Sequence, residues 1–145
     1  VKALDVLTGI YNLMFSIPYS RTIDQGGARF TFLNGCGLNP VDNRPYCAMT
    51  VSGINYIVTF DSAQIGFVAK IPAPQSFYTG DVDHNGNIHL LSYGGYGYFT
   101  LATVHQYTQY LNPTDVRIAD RTSAAVPYLG LPSSVADVVY FRGSL

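Results

Sequence analysis

The most specific chemistry in the sequence lies in eight residues, Asp81-Val82-Asp83-His84-Asn85-Gly86-Asn87-Ile88. They match the first half of a calcium loop, D-x-D-x-N-G-x-I. In that pattern alternate oxygens converge on the ion and the glycine allows the bend. Asp81, Asp83 and Asn85 are the candidate ligands, and calcium is the one cofactor the sequence raises. The twelfth position, where such a loop brings a bidentate acid, is Ser92, and no helical pattern precedes Asp81. The same residues also read as the polar tip of a hairpin, because both members of an Asn-Gly pair tolerate positive φ.

Other reactive groups are scattered. Asp61-Ser62-Ala63 follows an apolar run and resembles the D-S/T-G turn of aspartic proteases, with Ala63 in place of the glycine. That chemistry needs two carboxylates sharing a proton, and no second copy of the motif is present. The plain reading of Asp61 is a strand-end turn residue. His84, His89 and His105 have neither a G-x-S-x-G elbow nor a second ligand pair to complete a hydrolase or a metal site. The expectation is that the chain is not an enzyme.

Residues 92–99 are rich in Tyr and Gly. Tyr on Gly-rich loops makes rigid, amphipathic contact surfaces, so Tyr93, Tyr96 and Tyr98 are candidates for binding a glycan or a protein. The other reading is a bulged strand whose rings pack on a sheet. Cys36 and Cys47 either bridge a loop in an oxidising compartment or stay reduced and buried.

The elements that position these groups follow from composition. The chain has 145 residues, 48% of them hydrophobic and 12% charged, with net charge −1. That excludes a disordered tail, and it leaves no basic excess for sequence-specific nucleic-acid binding. No apolar stretch approaches the roughly 18–20 residues that span a bilayer. All nine acidic residues are Asp, and only Lys2 and Lys70 are lysines. Helices favour Glu and Lys on their outer faces, whereas Asp, Gly, Pro, Tyr and Phe favour turns and half-buried strands. The low charge fits a surface that faces other subunits, or a compact extracellular β-protein.

Strands are expected at 11–17, 29–33, 46–51, 55–60, 64–71, 77–81, 87–92, 115–119 and 135–141. Turns fall at Ser52-Gly53 and Asn85-Gly86, a loop at 34–45, and a possible junction at 72–74. Residues 101–111 read either as a helix, with Leu101, Val104, Thr108 and Leu111 at helical spacing, or as a β-rich segment. The predicted fold is a single all-β domain over 1–145. It is an antiparallel β-sandwich or jelly-roll-like barrel with at most one short helix.

Three stretches resemble capsid proteins of picorna-like viruses. Phe15-Ser16-Ile17-Pro18-Tyr19-Ser20 resembles a strand ending in a V/I-P-Y corner. Residues 56–74 resemble closing strands that run into a Pro-rich exit. Val138-Val139-Tyr140-Phe141-Arg142-Gly143-Ser144-Leu145 resembles the aromatic-R-G-S-L start of a strand. In a jelly roll of that family the R-G-S strand precedes the P-Y strand; here it follows. The resemblance therefore implies a capsid fragment or a protruding domain. Such a virion protein associates with copies of itself or sister capsid subunits, and leaves loops such as 34–45 and 81–87 for a host receptor or glycan. The alternative is a secreted, extracellular β-sandwich module that binds a glycan or a protein.

Overall fold

The computed structural model describes residues 1–18, 30–72, 77–92 and 97–122. Among the described residues nine strands form three antiparallel sheets. A two-stranded hairpin pairs β1 (Lys2–Leu4) with β2 (Tyr11–Leu13). A four-stranded sheet runs in sequence order through β3 (Phe30–Asn39), β4 (Arg44–Val51), β5 (Ile54–Phe60) and β6 (Ile65–Ile71). A three-stranded sheet holds β7 (Phe77–Val82), β8 (Ile88–Ser92) and β9 (Tyr98–Leu101). Among the described residues there is no α-helix, only a 3-10 turn at Val104–Gln106.

The larger sheet is buried on both faces, which explains its long apolar runs. Tyr46, Ala48 and Ile57 point to one side, where they meet Phe77, Ile88, Leu90, Phe99 and Leu101 of the smaller sheet. This is the core of a β-sandwich. Cys47, Met49, Val51, Tyr56, Val58 and Phe60 point to the other side. There they are covered by Phe15, Ile17, Tyr110 and Ile118. The period-2 alternation of a strand produces both layers. In β6 a register shift leaves Val68 as an extra residue between Phe67 and Ala69. Ile65 and Phe67 thus face the second layer while Ala69 and Ile71 face the first.

β3 joins the sheets. It pairs with β4 and also lies against β7, where a Cβ on Gly37 would sit 2.3 Å from the Val82 nitrogen. The Cys36–Cys47 disulfide fastens β3 to β4 at an irregularity in their pairing between Asn34 and Gly37. The outer edge of β6 is covered by residues 107–120: Phe67 and Tyr110 exchange two backbone hydrogen bonds, and Lys70 N donates to Ala119 O. Covering an edge in this way blocks uncontrolled strand addition.

Four expectations need correction. The expected loop at 34–45 is mostly strand, with a turn only at residues 40–43. Pro45 is tolerated because it pairs with Leu38 of β3 before the β4–β5 ladder starts at Tyr46, so no second neighbour needs its missing N–H. Residues 101–111 do not form a helix. Thr103 N donates to Asn87 Oδ1 and Val104 N to Gly86 O, so these donors serve the β7–β8 turn instead of a helical ladder. Residues 115–119 form no strand, because Ile118 N turns back to Asp115 O and the Asp115 carboxylate takes the Arg117 N–H groups. The expected strand at 135–141 lies outside the described residues. The expected strand at 11–17 is regular only over Tyr11–Leu13.

Candidate functional site

The Asp-rich motif builds the β7–β8 turn. Gly86 takes φ 79°, as the bend requires. Asp83 is buried, and its Oδ1 accepts from Asn85 N and Asn87 N, both at 2.9 Å. Its Oδ2 accepts from Asn87 Nδ2 at 2.8 Å and lies 3.1 Å from His89 Nε2. Burial alone would raise the carboxyl's pKa, but hydrogen bonds from Asn87, His89 and Asn85 outweigh it and hold the value below the ordinary aspartate range. Asp81 sits two residues earlier, on β7, its Oδ1 accepting from Val82 N, and Asn85 is exposed at the tip. Asp83 is thus satisfied by protein donors. Among the described residues no three His, Cys, Asp or Glu side chains gather as a metal site.

A polar chain grows from the same carboxylate. His89 on β8 holds Asp83 through Nε2 and meets the Tyr98 hydroxyl through Nδ1. The two rings are nearly parallel, 20° apart, with centroids 5.8 Å apart. Register explains the contact: His89 pairs with Thr100 and Leu91 with Tyr98, so His89 and Tyr98 are diagonal neighbours on one face. Carboxylate, imidazole and phenol thus form one continuous chain of side-chain contacts. Sequence reasoning missed this link, whose only signal is a β8–β9 hairpin across the Tyr/Gly segment. Tyr98 is half-buried in β9, which pairs with β8 without a bulge, and its ring lies against that of His89. Tyr93 and Tyr96 lie outside the described residues.

His105 closes the end of the sandwich. Its Nδ1 lies 3.4 Å from Asn39 Nδ2, and a Cβ on Gly86 would come within 2.6 Å of it. Asp61 caps the β5–β6 turn, accepting from Ala63 N and Gln64 N and pairing with Arg44 at 3.0 Å. Those turn N–H groups, ahead of Arg44, hold its pKa low. Its partners are those of a turn residue.

The feature with no internal explanation is the N-terminal hairpin. Leu4, Val6, Leu7, Ile10, Tyr11, Leu13 and Met14 are each 47–93% exposed. All six strand residues of β1 and β2 are exposed. The hairpin is tied to the body just behind this patch: the Val1 ammonium donates to Phe15 O at 2.7 Å, and Phe15 packs edge-on against Phe60. Sequence reasoning saw an apolar strand here and missed how exposed its side chains stand.

Compared with known proteins, the chain matches no family model, and no curated protein or solved structure is significantly similar to it.

Proposed function

We propose that this chain is a structural assembly subunit, of the kind that builds a viral capsid or a projection on its surface. The observation that carries the reading is the apolar hairpin standing outside the sandwich. Seven of its large apolar side chains are each 47–93% exposed, where a monomer ordinarily scatters such residues singly over its surface. A concentration of exposed apolar groups of this kind marks an interaction site. The resemblance to picorna-like capsid proteins supports the same reading, since Phe15-Ser16-Ile17-Pro18 is the segment through which the hairpin joins the body. The virion is the corresponding location.

Electron microscopy of the concentrated chain tests this. The proposal expects repeating particles larger than a 15.8 kDa monomer. Isolated monomers that are captured by a glycan array overturn it in favour of a secreted binding module.

A further inference from the structure

We infer that the Cys36–Cys47 bridge is a one-sided exchange site for a low-molecular-weight thiol. Cys36 takes the thiol, and Cys47 is the cysteine that leaves and later expels it.

The β3–β4 register creates the asymmetry. Asn34 pairs with Ala48 and Gly37 with Tyr46, so Gly35 and Cys36 together stand opposite Cys47 alone. Gly35 takes φ 60°, the left-handed first position of a glycine bulge. A bulge of this kind re-aims a side chain, and here Cys36 bridges to Cys47. Cys47 is fully buried in the apolar layer that holds Met49 and Val58. That cover ends before β3, where Cys36 and Leu38 are both exposed. One half of the bridge therefore meets solvent and the other meets an apolar layer.

The rate of thiol–disulfide exchange follows access to the sulfur attacked. A thiolate reaches Cys36 from solvent, whereas the way to Cys47 crosses the packed layer. The thiolate sulfur therefore bonds to Cys36 Sγ as the Cys36–Cys47 bond breaks, and the electron pair stays on Cys47 Sγ. A bare anion is costly in apolar surroundings, so Cys47 takes up a proton. The products are a mixed disulfide on Cys36 and a buried thiol at Cys47. In the opposite sense, a Cys36 thiolate attacks a low-molecular-weight disulfide and releases one thiol. Cys47 then attacks Cys36 Sγ, closes the bridge and releases the second. The fold keeps the two cysteines unequal while the bridge is open. Leu38 and Asn39 stay paired with Pro45 and Arg44 on one side of the bulge, and Leu33 and Asn34 with Met49 and Ala48 on the other. The backbone at Gly37 also stays seated against β7.

The test uses iodoacetamide and oxidised glutathione on the full chain, reduced and then freed of reductant without air. Limiting iodoacetamide is added first, and peptide mass spectrometry compares the two cysteines. The inference expects Cys36 to be alkylated at least about tenfold faster than Cys47 in native buffer, and the two about equally in denaturing urea. Equal alkylation in native buffer, or faster alkylation of Cys47, overturns it. Oxidised glutathione then tests the exchange itself. Cys47→Ser should accumulate glutathione on Cys36, because the expelling thiol is gone. Cys36→Ser should stay free of glutathione over the same time. A Cys47→Ser chain that takes no glutathione overturns the inference, as does a Cys36→Ser chain that keeps its melting transition and takes glutathione on Cys47. The alkylation arm uses no substitution, so it decides the matter where a variant unfolds.

Discussion

His89 Nε2 lies 3.1 Å from Asp83 Oδ2, and both side chains are largely withdrawn from solvent. The carboxylate that organises the β7–β8 turn thereby also orients an imidazole on the neighbouring strand. Ionised Asp83 accepts from Asn85, Asn87 and His89 at once, so its charged form belongs to the folded state.

The first prediction concerns pH. Asp83 has a folded pKa below its unfolded value of about 3.9. A depressed carboxyl contributes stability that is complete above the unfolded pKa and is lost as pH falls through the folded one. Asp83→Asn should cost about 1–3 kcal/mol at neutral pH, the loss of charge-assisted hydrogen bonds at a buried site. It should also flatten the decline in stability below about pH 4. Melting curves from neutral to acid pH check both effects.

Calcium at millimolar concentration should leave the melting midpoint of the parent chain unchanged. Asp83 already accepts from Asn85 N, Asn87 N and Asn87 Nδ2, leaving little for a cation to recruit without breaking the turn. A calcium-dependent rise would show that Asp81, Asp83 and Asn85 rearrange into a ligand set.

Gly37→Ala should cost more than about 3 kcal/mol, because its Cβ would meet backbone of β7 that cannot swing aside. Gly53→Ala is the comparison. Its Cβ would meet nothing within 4 Å, so its cost, about 1 kcal/mol, comes from the positive φ of 80° alone. Chemical denaturation of the two variants separates the close approach of β3 to β7 from ordinary turn strain.

Reducing the Cys36–Cys47 bridge should lower stability by about 2–4 kcal/mol, since it closes a chain segment and fastens β3 at its irregular pairing. Thermal melting with and without dithiothreitol measures this. Cys36→Ser with Cys47→Ser should reproduce the reduced value and remove the effect of reductant.

The strands of the larger sheet were legible because local and tertiary signals agree there. Residues 46–51 and 55–60 alternate around Ser52-Gly53, and both turn residues do take positive φ. The Asn85-Gly86 hairpin was legible too, with Gly86 alone of the pair taking positive φ. Residues 34–45 misled because Gly, Asn and Pro normally mark loops. Here Gly37 serves a close strand approach and Pro45 sits at a ladder end, both properties of a tertiary neighbour. Residues 101–111 misled because helical spacing of Leu101, Val104 and Leu111 says nothing about Gly86 and Asn87 competing for their backbone donors. Of the site, Asp83 was visible as a motif. Its link to Tyr98 depends on the β8–β9 register, and the bareness of Leu4, Tyr11 and Leu13 depends on what the fold leaves uncovered.

Mass in solution against concentration, by light scattering on the purified chain, tests the central claim most directly. The account predicts mass rising above 15.8 kDa across the micromolar range, and a return to the monomer when Leu4 and Leu13 are both replaced by Asp. A parent chain that remains a 15.8 kDa monomer throughout contradicts it.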